Sequence, residues 1–129
     1  MPFGLQSDIP NRTLPDALHT LLVQQTEALE ALLQYANDTK ETIRANGHLS
    51  LQEQTAHVGA LAQEVSARLT ALEDHHRQMW AQLESFQQLL RQQGNLILGH
   101  TVERVKEVLE RNLTMAREGL DAIIHGQSP

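Results

Sequence analysis

A chain of 129 residues with 16 acidic and 10 basic side chains carries a formal net charge of −6, fits one domain, and has no basic face to offer nucleic acid. It contains no cysteine, which excludes disulfides, thiol catalysis and thiolate zinc sites. Phe3, Tyr35, Trp80 and Phe86 are the only aromatic residues and 16–128 contains no proline, so the composition predicts long helices packed by Leu, Val and Ala.

Residues 1–12, with Pro2, Gly4 and Pro10, read as a flexible N-terminal tail. Thr13 is placed to cap a first helix over 14–44, with Pro15 in its first turn and Asp16 three residues after the cap. Its apolar positions run Leu14, Leu18, Leu21, Leu22, Leu29, Leu32, Leu33, Ala36 and Ile43, and Asn46-Gly47 is a stop signal. Ser50-Leu51-Gln52-Glu53 is a capping box that opens a second helix over 51–92. The short link between the two predicts an antiparallel hairpin.

The second helix carries an apolar stripe in seven-residue register. One set is Leu51, Val58, Val65, Leu72, Met79 and Phe86; the other is Thr55, Ala62, Leu69, His76, Leu83 and Leu90. Such spacing keeps one seam facing partner helices. Gly59 costs the helix something, and Glu73-Asp74-His75-His76 is its foremost candidate for an interruption, though nothing there forces one. Gln92-Gln93-Gly94-Asn95 predicts a second turn, with Asn95 as the cap of a third helix over 96–124 that ends at Gly126. Leu98, Val102, Val105, Leu109, Leu113, Ala116, Leu120 and Ile123 form its apolar line. The expected architecture is all-α: one domain over 13–125, an antiparallel bundle or coiled-coil hairpin of three long helices, with a fourth if the middle helix breaks. Residues 126–129 read as a C-terminal tail.

Chemistry-bearing patterns are sparse. Glu73 and His76 form a Glu-x-x-His pair, but a di-iron bundle uses two such pairs and two further glutamates. His76 therefore reads first as a polar break in the seam that fixes register with a hydrogen-bond partner. Glu53 with His57, and His100 with Glu103, supply two ligands each, which do not make a metal site. No Gly-rich phosphate loop or Gly-x-Ser-x-Gly motif occurs. No enzyme, cofactor or metal is expected. Tyr35, Trp80 and Met115 are candidate interface anchors, set against simple core or flank roles.

Leu- and Glu-rich residues 21–33, the Gly-containing turn at 45–49, the charged stretch Leu69–Arg77 and the segment Leu90–Ile97 follow one another in an order that resembles the FlgN-like flagellar export chaperones. The paired asparagines of that family's later motif are not present as such. The resemblance implies a bacterial cytoplasmic type III export chaperone that shields an amphipathic C-terminal helix of a hook–filament junction protein. It implies a binding surface mainly on the third helix, around Leu98, Val102, Val105, Leu109 and Leu113, by helix-in-groove recognition. Two other readings stay open: a metal-binding bundle using Glu73 and His76, and a self-associating coiled coil (a homo-oligomer) or phasin-like coat. No visible signal segment and no apolar run long enough to span a membrane accord with a cytosolic expectation.

Overall fold

The computed structural model describes residues 9–126, with side chains from Asp16 onward. Three helices make up these residues: α1 (Ile9–Ala45), α2 (Leu51–Gln92) and α3 (Leu96–His125). They run up, down and up, and no strand occurs among the described residues. The fold is an all-α bundle of three helices. Residues 1–8 and 127–129 of the two expected tails lie outside the described residues.

The helix ends follow local chemistry. Asn46 and Gly47 stop α1, and the Asn46 carboxamide oxygen accepts the backbone N–H of His48 at 2.9 Å. The Ser50 hydroxyl accepts the Glu53 N–H at 3.1 Å while Glu53 accepts the Ser50 N–H at 2.9 Å, closing the capping box. Asn95 caps α3 by accepting the Leu98 N–H at 3.2 Å. Gly94, at φ +77°, supplies the left-handed residue that reverses the chain between α2 and α3.

α1 departs from expectation at its start. It begins at Ile9, so 9–12 are helical and Thr13 lies inside the helix rather than capping it. Pro10 falls in the first turn, where N–H groups have no intrahelical partner, so its missing donor costs little.

α2 is unbroken through Glu73–His76, which makes it about 63 Å long for its 42 residues. Its inward line is Leu61, Val65, Leu69, Leu72, His76, Met79, Leu83, Gln87 and Leu90. This line leaves the seven-residue register at both ends: Leu61 is buried rather than Ala62, and Gln87 is more buried than Phe86. A helix of 3.6 residues per turn drifts by about 20° per heptad, which moves the buried line earlier toward the N-terminus and later toward the C-terminus.

Three apolar clusters fill the interior. At the α2–α3 turn, Leu18 packs with Met79, Leu83, Leu90, Val102, Val105 and Leu109. Leu29, Leu113 and Ala116 form the middle. At the other end Leu32, Ala36, Leu61, Val65 and Leu120 pack together. α3 stops there, level with Lys40, whose ammonium donates to the carbonyls of Ile123 and Gly126 and so caps the C-terminus of α3. Burial, with Arg44 adding, holds the Lys40 amine below the ordinary lysine value. The first turns of α2, with Leu51 79% exposed, extend past α3.

Candidate functional site

The α2–α3 face carries a ladder of polar contacts in one antiparallel register. Arg117 of α3 donates to Glu73 from Nε at 3.0 Å and from Nη2 at 2.6 Å. His76 Nε2 meets Glu110 Oε2 at 2.9 Å. Lys106 donates to Glu84 and, at 3.1 Å, to Gln87 Oε1. Gln87 Nε2 donates to the Gly99 carbonyl at 3.0 Å and to Glu103 at 2.9 Å. That last bond, with Lys106 and Arg91 adding, keeps the Glu103 carboxyl below the ordinary glutamate value.

The ladder explains three buried polar residues. Lys106 is 3% exposed and Gln87 2% exposed, and each satisfies the other. Trp80 lies over the Lys106 ammonium, 4.8 Å from ring centroid to Nζ, and 5.8 Å from the His76 ring. His76 is the expected polar break with a partner on the facing helix. Glu73 turns to Arg117 rather than joining His76, and no group of three or more metal-ligating side chains occurs among the described residues.

The anchor candidates separate. Tyr35 is a tie between α1 and α2: its hydroxyl donates to Glu64 at 2.8 Å and Arg68 stacks 4.5 Å from its ring centroid. The Glu64 hydrogen bond, then burial, raises the phenol above its ordinary value. Trp80 is a flank residue that lines a cavity of about 400 Å³ between α2 and α3. Met115 is 61% exposed and lines the shallow α1–α3 groove.

The apolar line of α3 requires a correction. Val102, Val105, Leu109 and Leu113 are buried by α1 and α2 of the same chain, and Leu98 packs against their cluster. They are core, because an inward stripe on the last helix of a three-helix bundle is covered by the other two helices. A group of exposed aliphatic side chains lies earlier, at Leu89, Leu96 and Ile97, which are 47%, 70% and 82% exposed.

Sequence reasoning missed Lys106 and Gln87. Spacing held the signal: Lys106 falls four residues after Val102 and three before Leu109, and Gln87 stands in the same relation to Leu83 and Leu90. Both positions point inward on a helix.

No helix among the described residues is long and apolar enough to cross a membrane. The chain matches no protein-family model, no curated protein and no solved structure.

Proposed function

We propose that this chain is a non-enzymatic helical protein-binding module, a cytoplasmic adaptor or export chaperone that shields an amphipathic helix of a partner. The observation that carries the reading is the exposure of Leu89, Leu96 and Ile97 at the α2–α3 end. Large aliphatic side chains grouped at one end of a bundle mark a contact surface, because burying them recovers about 25 cal/mol per Å². The stretch 85–102 around them holds no acidic residue and a single arginine, Arg91, in a chain of net charge −6. Charge therefore does not keep a partner's apolar face away from this end.

The resemblance to FlgN-like chaperones supports the same placement, because its later motif corresponds to Leu90–Ile97. On that basis the client is an amphipathic helix of a flagellar hook–filament junction protein. The contact surface is placed at the α2–α3 end instead of along the third helix.

A photo-crosslinking side chain placed at Ile97 tests this in the cell of origin. The control site is Gln63, an exposed polar position on α2. The expected result is one dominant adduct from position 97, mapped to a helical segment of the partner and lost in Leu96→Asp. The same adducts from both positions, or none from position 97, would refute the reading.

A further inference from the structure

A cavity of about 130 Å³ lies between the middle and α2–α3-end clusters of the core. All three helices line it, through Leu21 and Ala28 of α1, Leu72, His76 and Met79 of α2, and Leu113 of α3. It opens beside Gln24 and His75, both exposed. Its size is close to the ~150 Å³ of an apolar cavity that takes up benzene.

Of the polar side chains that line it, Gln24 and His75 are exposed and Gln25 is engaged, donating to the Leu109 carbonyl and accepting from Asn112, which leaves one buried polar side chain incompletely bonded. His76 is buried, its Nε2 is bound to Glu110, and its Nδ1 has no protein partner. Because Glu110 accepts as a carboxylate, the neutral imidazole carries its proton on Nε2. Nδ1 is then a bare acceptor, and an unmet buried acceptor is costly. His76 also lines the larger cavity on the Glu110 side, so its ring is a wall shared by both spaces. Nδ1 is covered in this structure. The torsion between Cβ and the imidazole is broad, and the Glu110 side chain is 60% exposed and free to follow the ring. Presenting Nδ1 to the cavity requires a turn of the ring about this torsion, with the Glu110 side chain following.

We infer that this cavity is a binding site for a small single-ring molecule carrying one hydroxyl or N–H donor, the ring among the leucines and the donor on His76 Nδ1. The chemistry selects against charged ligands, because no counter-charge lines the apolar end. It selects for a donor over an acceptor, because the free imidazole nitrogen holds a lone pair.

Phenol and toluene, matched in size and different in the donor, are the probes. Each is titrated against the intact protein by calorimetry, with chemical shifts of the His76 ring nitrogens followed by NMR at neutral pH. Phenol is expected to bind about tenfold more tightly than toluene, the worth of one hydrogen bond. It should also shift Nδ1 as a newly hydrogen-bonded acceptor. His76→Leu keeps the position filled but removes the ring nitrogens, and should erase the preference for phenol. Ala28→Leu fills the space from α1 without touching the imidazole and should weaken both probes. Thermal melting of each variant establishes that it is folded. Equal binding of the two probes, no binding of either, a preference that survives His76→Leu, or phenol binding unchanged in Ala28→Leu would each overturn the inference.

Discussion

Lys106 and Gln87 offer a thermodynamic test of how the polar ladder holds the bundle. Lys106→Met removes the donor that Gln87 Oε1 depends on, inside a residue only 2% exposed. Leaving that acceptor unmet costs about 1–3 kcal/mol. Glu84 is half exposed and rehydrates, so loss of its ion pair adds only about 0–1 kcal/mol. Loss of the Trp80 contact adds about 0.5–1 kcal/mol. Methionine keeps most of the packed volume and no longer requires a buried ammonium, which offsets part of the loss. The single variant should therefore be destabilised by about 2 kcal/mol. Gln87→Leu leaves Lys106 with Glu84 and Glu103 and should cost about 1–2 kcal/mol. The double variant leaves no buried acceptor without any donor: Glu103 is 37% exposed at its side chain and reaches water, and the Gly99 carbonyl, which also loses Gln87, keeps its helical bond from the Glu103 N–H. It should lie within about 1 kcal/mol of the parent, or above it, as apolar replacements of buried ionic groups often do. Urea unfolding followed by helical circular dichroism, at unchanged denaturant slope, measures all four corners of the cycle. A double variant that loses the sum of the two single losses would refute the claim that these residues act as one unit.

Other perturbations probe other parts of the molecule. Gly59 lies inside α2, exposed and with nothing within 4 Å of an added Cβ, so Gly59→Ala should raise stability by about 0.5–1 kcal/mol in urea unfolding. Gly94→Ala should lower it by about 1 kcal/mol or more, because the turn needs φ +77°. His76→Leu removes an unmet buried acceptor and frees a largely exposed Glu110, so the melting temperature should stay level or rise. Glu53 and Glu103 both sit below the ordinary glutamate value of 4.5, Glu53 chiefly through the Ser50 backbone N–H. Depressed carboxyls contribute stability that is present above pH 4.5 and lost as pH falls through their folded values. The melting temperature of the parent should therefore drop on acidification below pH 4.5, and Glu53→Gln with Glu103→Gln should flatten that drop.

The helices were legible in the sequence because their ends are written in single residues. Asn46-Gly47, the Ser50–Glu53 box and Asn95 each act through one local hydrogen bond or one backbone angle, and such signals do not depend on tertiary context. The start of α1 was less legible, because a proline near a chain end fits both a tail and a first helical turn. The middle helix stayed whole because Glu73, Asp74 and His76 find partners outside the helix backbone: Arg117, Arg77 and Glu110. The site was read less well. An apolar line on α3 is equally consistent with a surface stripe and with a core, and only the packing of α1 and α2 against it decides. Lys106 and Gln87 were passed over because polar residues are ordinarily taken for surface, although their spacing put them on the inward line.

The exposure of Leu96 and Ile97 is a consequence of that same ladder. Leu96, Ile97 and Leu98 are consecutive on α3, and neighbours on a helix are turned by about 100°, so they cannot all face the core. Leu98 is the one that packs against it. Turning α3 to bury Ile97 would carry Lys106 away from Glu84 and Gln87, Glu110 from His76, and Arg117 from Glu73. Sliding it by one turn would break the Gln87 bonds to Gly99 and Glu103 as well. The breaks at Lys106, Gln87 and His76 each leave a buried polar group without its partner, at about 1–3 kcal/mol apiece, and the exposed Arg117–Glu73 pair adds little, while burying one isoleucine returns about 1.5–3 kcal/mol in all. The bundle therefore holds its α2–α3 end apolar and open at equilibrium. A surface maintained against the pull of its own hydrophobic effect is the basis of the contact proposed above.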